Sequence, residues 1–256
     1  VISGVCQQMG IKYVSWSCDS PLLSMYHKNV FLDCNYFFLF DKTNYLEFKG
    51  MGVKHIWHLP LAVDTNRLDE LFAQDTMDKM QLAETDSGNA SKHSVRDFAG
   101  GISFVGNLYE KNSYDELETR FPEYLRGYFD AVMEAQLNIS GGNIIDPMLT
   151  ADILERVSEY FELKKSKDSF SDLGLVFATT VLGFKTASLQ RQRALLALVA
   201  KFPVNLYTNT GGDTLLRVKN CGSVDYWSEM PKVFRYSKIN LNFTIPNIKS
   251  GLPLRI

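Results

Sequence analysis

The stretch NYFFLFDKTNYLEFKGMGVKHIWHLPLA, residues 35–62, decides the fold. Residues 35–41 are a nearly continuous apolar run that ends in an aspartate, which is typical of a strand buried on both faces. Residues 43–52 fit a short helix that Thr43 can cap, and residues 53–62 are β-rich again. Strand, helix and strand in this order predict a βαβ unit, in which the two strands are parallel.

The remainder of the chain predicts a second α/β unit. We expect a partial N-terminal domain over 1–72, a polar linker or mobile loop over 73–99, and a partial C-terminal domain over 100–256. The C-terminal domain contains an insertion at about 113–200 in which apolar residues recur at helical spacing. The predicted fold class is therefore α/β, with two Rossmann-like domains of which the second carries a helical insertion.

Composition excludes several classes of function. The formal net charge of −2 over 256 residues gives no electrostatic footprint for nucleic acid. The four cysteines show no CxxC pair and no Cys/His spacing, so we expect reduced thiols, a cytoplasmic protein and no metal site. No apolar run approaches the roughly 20 residues that a membrane span requires.

Ligands of open parallel sheets bind beyond the carboxyl ends of the strands. The residues that the pattern places there are Asp19, Asp41, Gly106, Asn107, Asn209, Gly211 and Gly212. Asp19 and Asp41 each follow a strand and are candidate general bases, but an aspartate in that position is also common turn chemistry. Both interpretations remain open for these two residues.

Two loops and one histidine complete the candidates. The loop GNLYEKN at 106–112, which includes Lys111, and the loop TNTGGD at 208–213 could both turn backbone N–H groups toward a phosphate. Neither is a GxGxxG or Walker sequence. His58 lies in an apolar segment, where a buried core histidine and a general base are the two alternatives.

Three segments resemble a known family. They are YVSWSCDSP at 13–21, FLFDKTNYLEFKGMGVKHIWHLPLA at 38–62 and SKINLNFTIPNIKSGLPLRI at 237–256. They are similar to the spore maturation protein CgeB-like glycosyltransferases of spore-forming bacteria, which are GT-B enzymes. The segment HLPLAVDTNRLDEL at 58–71 also resembles the end of a GT-B N-terminal domain, although Leu61 and Ala62 stand where Asn and Gly are usual.

The resemblance implies two Rossmann-like domains, a nucleotide-sugar donor, no metal and no cofactor, and a glycan or protein acceptor. It implies donor contacts from Gly106 and Asn107 and from the segment that contains Ser250, Gly251 and Arg255. Asp19 or Asp41 would be the base if the enzyme inverts. It also implies that the sequence is clipped at both ends. The alternative is a non-catalytic spore-surface or carbohydrate-binding protein of the same shape.

Overall fold

The structure, a computed structural model, describes residues 2–84, 98, 100–139, 141–209, 211 and 215–253, with the backbone alone for 79–84. In chain order the strands are β1 Tyr13–Ser17, β2 Asn35–Leu39, β3 Ile56–His58, β4 Gly100–Val105, β5 Val204–Tyr207, β6 Lys219–Asn220 and β7 Ser237–Leu241. The α-helices are α1 Ile2–Gln8, α2 Lys42–Gly50, α3 Thr65–Glu84, α4 Ser113–Glu118, α5 Glu123–Leu137, α6 Ile145–Met148, α7 Ala151–Ser158, α8 Leu173–Phe177, α9 Gly183–Val199 and α10 Met230–Tyr236.

The chain divides into two compact units. The first comprises Val1–Leu61, Tyr109–Arg191 and Phe243–Ile256, and the second comprises Ala62–Leu108 and Gln192–Asn242. Each contains a parallel sheet. The protein is therefore a mixed α/β structure, and its parallel sheets are compatible with a Rossmann-like fold.

The sheet of the first unit has the strand order β1-β2-β3, and all of its pairings are parallel. The predicted βαβ unit is confirmed, because α2 connects β2 to β3. The predicted cap was wrong by two residues. Asp41, not Thr43, caps α2, and its side chain accepts a hydrogen bond from the Thr43 N–H.

One face of this sheet is buried more deeply than the other, which corrects the expectation of a strand buried on both faces. Burial alternates along β2, so Phe37 is buried whereas Tyr36 and Phe38 are half-buried. The Tyr36 ring stacks on His55 at 4.7 Å and the Phe38 ring on Trp57 at 5.3 Å. This aromatic row therefore covers the less buried face.

The helical segment 109–191 belongs to the first unit, which differs from the predicted boundaries of 1–72 and 100–256. Backbone bonding explains the grouping, because the Phe170 N–H donates to the Tyr26 carbonyl and the Lys28 N–H to that of Asp168. Leu175 packs against the core of the first sheet. Such contacts join residues more than a hundred positions apart, so local patterns could not reveal them.

The second unit has a four-stranded parallel sheet in the order β6-β5-β4-β7. Helix α3 belongs to this unit and continues to Glu84, so the first part of the predicted 73–99 linker is helical. A buried polar contact explains this difference. Asp75, 2% exposed, accepts a hydrogen bond from the Tyr236 hydroxyl at 2.6 Å and pairs with Lys232 at 2.8 Å.

One continuous helical stretch, Leu173–Val199, is long and apolar enough to cross a membrane by length and composition. It comprises α8, a π-helical turn at Ala178–Leu182, and α9. Half of its most apolar window is buried inside the protein, as in the core helix of a soluble domain, so it is weak evidence for a span.

Candidate functional site

A cavity of about 210 Å³ lies at the carboxyl end of the sheet in the first unit. Ser20 and Asp41, which follow β1 and β2, both line it, and all of its lining residues belong to this unit. Pockets for drug-sized ligands measure roughly 300–1,000 Å³, so this cavity suits a smaller molecule. Of its lining residues Pro21 and Leu175 alone lack a polar side-chain group, which favours a hydrophilic ligand.

Asp41 is the best-bonded side chain of the cavity, and it is 1% exposed. Its Oδ1 accepts from the Thr43 N–H at 2.9 Å and from the Ser250 hydroxyl at 2.6 Å. Its Oδ2 accepts from the Ser20 hydroxyl at 2.9 Å and from the Lys249 N–H at 3.0 Å. Each carboxylate oxygen therefore has two donors.

These bonds determine the ionisation of Asp41. Burial by itself raises the pKa of the carboxyl group, but the four hydrogen bonds outweigh burial and hold the pKa below its ordinary value. A carboxylate with a lowered pKa and four donors is a poor proton acceptor. The geometry favours a structural role for Asp41, in which it caps α2 and holds the segment around Ser250, over the base that the sequence predicted.

The structure brings together two predicted residues that had been given different roles. Ser250, predicted to bind the donor, donates to Asp41, predicted to be catalytic, across 209 positions of sequence. Its neighbour Gly251 leaves no room for a side chain, because a Cβ there would overlap the ring of Phe40. The predicted donor segment therefore packs closely against the end of β2, as far as it is described.

The rim of the cavity carries an oriented carboxylate that sequence analysis missed. Glu47 accepts a hydrogen bond from the Tyr26 hydroxyl at 2.8 Å and from the Asn44 amide at 3.2 Å. Burial, followed by the hydrogen bond and charge of Glu47, raises the pKa of Tyr26, and the charge of Asp146 acts in the same direction. The spacing of Asn44 and Glu47, three residues apart on α2, was the available sequence signal.

The lining also contains an ion pair and a buried amide. Lys249 pairs with Asp146 at 2.7 Å. Asn247 is 4% exposed, and its Nδ2 makes a long contact of 3.4 Å to the Thr179 hydroxyl. Within the described residues its Oδ1 has no hydrogen-bond partner. Ligand binding is one way in which such a buried acceptor is satisfied.

The other predicted residues of the first unit do not line the cavity. Asp19 is exposed, and its backbone N–H and carbonyl both bond to the Ser17 hydroxyl. His58 is exposed, so the core interpretation was wrong, and its Nε2 lies 3.2 Å from the Phe40 carbonyl oxygen. Lys111 is exposed as well. General-base roles for Asp19 and His58 stay predictions.

In the second unit, the predicted residues follow the carboxyl ends of β4 and β5. The Gly106 N–H donates to the Tyr207 carbonyl at 3.0 Å, so that group is already bonded within the sheet. Asn107 is half-buried and Asn209 is exposed. Gly211 has a φ of 62°, and its carbonyl accepts from the Asn220 amide at 3.1 Å. The predicted residues Gly212 and Arg255 lie outside the described part of the chain.

Among the described residues, no group of three or more His, Cys, Asp or Glu side chains is arranged to hold a metal ion. None of the four cysteines, all of which lie in the described ranges, is in a disulfide. No protein-family model, no curated protein and no solved structure matches the chain.

Proposed function

We propose that the chain is part of a metal-independent glycosyltransferase of GT-B type, similar to the CgeB-like family, that moves a sugar from a nucleotide-sugar donor to a glycan or protein acceptor. The observation that carries the proposal is the cavity at the carboxyl end of the first parallel sheet. Its position is the one at which α/β sheets bind ligands, and its hydroxyl, amide and carboxylate lining suits a sugar ring.

In this proposal the two units have different tasks. The cavity of the first unit holds a sugar of the acceptor. The loops after β4 and β5 in the second unit contact the donor, with Gly106, Asn107, Asn209 and Gly211 as the described candidates. Transfer requires stabilisation of the leaving diphosphate, which backbone N–H groups and basic side chains supply in enzymes without a metal.

A base is required only if the reaction inverts, and it must reach the acceptor hydroxyl. Asp41 is poorly suited because all four of its hydrogen bonds are made within the protein. Glu47 also lines the cavity and uses one lone pair on each oxygen, so it retains capacity to accept a further proton donor. Glu47 is therefore the stronger candidate in this cavity.

The experiment is a panel of uridine, guanosine, adenosine and thymidine diphosphate sugars, assayed for nucleotide release by the full-length protein with and without EDTA. We expect release that increases with a sugar acceptor and persists in EDTA. We also expect a rise in melting temperature with the matching nucleoside diphosphate. The absence of both release and any thermal shift at millimolar nucleotide would refute the proposal.

One observation favours a second candidate, a carbohydrate-binding protein without turnover. The single predicted catalytic residue that lines the cavity, Asp41, is fully occupied by structural hydrogen bonds. Under this alternative the protein binds sugars at the cavity and no nucleotide sugar is hydrolysed. Sugar binding without nucleotide release in the same panel would therefore identify it.

A further inference from the structure

The charges around the cavity of the first unit are unbalanced. Its lining contains three carboxylates, Asp41, Glu47 and Asp146, and one ammonium, Lys249, which leaves two negative charges. The single cation is already engaged, since Lys249 pairs with Asp146 at 2.7 Å. The donors around Asp41 are neutral hydroxyl and backbone groups, so they leave its charge uncompensated.

The hydrogen-bonding capacity of Glu47 also favours a ligand that donates hydrogen bonds. Glu47 accepts one bond on each oxygen and can accept more, and it faces the cavity. Asn247 also lines the cavity, and its buried Oδ1 lies against Gly183 with no hydrogen-bond partner within the described residues. The Tyr26 hydroxyl and one of the two Asn44 amide N–H groups donate to Glu47. The unused capacity of Glu47 is that of an acceptor.

We propose that this cavity binds a small sugar bearing a protonated amine, that it accepts the neutral sugar more weakly, and that it rejects the corresponding sugar acid. An ammonium and several hydroxyls supply the donors that these acceptors lack. A carboxylate or phosphate on the ligand would place negative charge and further acceptors beside the carboxylates of the cavity. The resulting repulsion is unfavourable in a partly desolvated site. The inference rests on the proposed function only for its choice of a sugar.

The size of the cavity supports a single ring. About 210 Å³ corresponds to roughly seven waters at ~30 Å³ each. The diphosphate of a nucleotide sugar would add negative charge beside the carboxylates of this cavity. The cavity is therefore assigned to the acceptor rather than to the donor.

The test uses three pyranoses that differ mainly in charge: D-glucosamine, D-glucose and D-glucuronate. Binding is measured at pH 7 by calorimetry and by protein-observed NMR, with no nucleotide present. We expect glucosamine to bind about fivefold more tightly than glucose, the upper end of the effect of one ion pair with an exposed carboxylate such as Glu47. We expect glucuronate to bind at least about fivefold more weakly than glucose.

Two matched variants locate the effect. Glu47→Gln removes one cavity charge with little change of shape, and it should reduce the preference for glucosamine over glucose to less than about twofold. Asp33→Asn removes the same charge from an exposed carboxylate that pairs with Lys54 and does not line the cavity. It should leave the preference unchanged, which separates a cavity effect from the net charge of the protein.

The proposal is overturned if glucuronate binds as tightly as glucosamine, if none of the three sugars binds at tens of millimolar, or if the two variants behave alike. Thermal unfolding of Glu47→Gln confirms that the variant is folded. Because no donor takes part, a negative result counts against the cavity assignment and leaves the transfer reaction to be decided by the nucleotide assay.

Discussion

Replacing Asp41 by Asn should destabilise the first unit strongly, although it changes few atoms. The Asn side chain keeps one acceptor oxygen and turns an NH2 group toward two of the four donors. In either orientation one of the two is a serine hydroxyl, which can turn and accept, and the other is a backbone N–H, which is left facing another donor with little access to water beside a side chain that is 1% exposed. A lost bond to a buried charged acceptor costs about 1.5–3 kcal/mol, so we expect a loss of stability of that size.

The pH dependence of this effect has a definite sign. Because the pKa of Asp41 is lower in the folded than in the unfolded protein, its contribution is fully present above the unfolded value of about 3.9. It is lost as the pH falls through the lower folded value. The Asn variant does not titrate at this position. The stability difference between wild type and variant should therefore be constant from pH 7 to about pH 5 and should shrink in more acidic solution.

The assay is urea unfolding followed by circular dichroism and tryptophan fluorescence at several pH values. Asp33→Asn is the control, since Asp33 is exposed and its bond to Lys54 is a surface ion pair, for which we expect a change close to experimental error. The reasoning fails if Asp41→Asn is no more destabilising than the control. It also fails if the difference between wild type and variant persists undiminished at the lowest pH at which both proteins fold.

Three further substitutions test packing and a buried ion pair. Gly183→Ala should destabilise the protein by about 1–3 kcal/mol, because the new Cβ would overlap Asn247 Oδ1. Gly127→Ala on α5 should stabilise it by about 0.5–1 kcal/mol, because the new Cβ meets nothing within 4 Å. Thermal unfolding should show opposite signs for the two variants, and equal signs would contradict the prediction. Asp75→Asn should destabilise the second unit by roughly 3 kcal/mol in urea unfolding, since it leaves the mostly buried Lys232 ammonium without its charged partner. A change in unfolding free energy within experimental error would show that the ion pair is dispensable.

Strands β2 and β3 could be predicted from the sequence because their signal is local, whereas the two-residue strand β6 was missed. The apolar run at β2 and the loop and helix after it determine a parallel βαβ unit without reference to any other part of the chain. The capping residue of α2 was less certain, since Asp41 and Thr43 are both good caps. Asp41, which caps α2 in the structure, also accepts a hydrogen bond from Ser250, a residue near the far end of the sequence.

The candidate site could be predicted only in part for the same reason. Position after a strand identified Asp41, but its four partners, which determine its ionisation, come from three separate segments. Glu47 is an unremarkable acid on an exposed helix face in the sequence, and the Tyr26 hydroxyl that orients it lies 21 positions away. Helix α3 was missed for a related reason, because Asp75 is a polar residue that is buried by pairing.

Asp41 positions other residues of the cavity lining through its hydrogen bonds. Its bond to the Lys249 N–H fixes the backbone from which the Lys249 side chain reaches Asp146. Its cap on α2 fixes the helix that carries Glu47. A carboxylate that is saturated by internal donors can thus position two parts of the cavity lining, and in our proposal it is not the base. In our proposal, ligand selectivity depends on the groups with unused hydrogen-bonding capacity. Asp41→Asn should therefore change mainly the stability of the protein, and Glu47→Gln should change mainly its ligand binding.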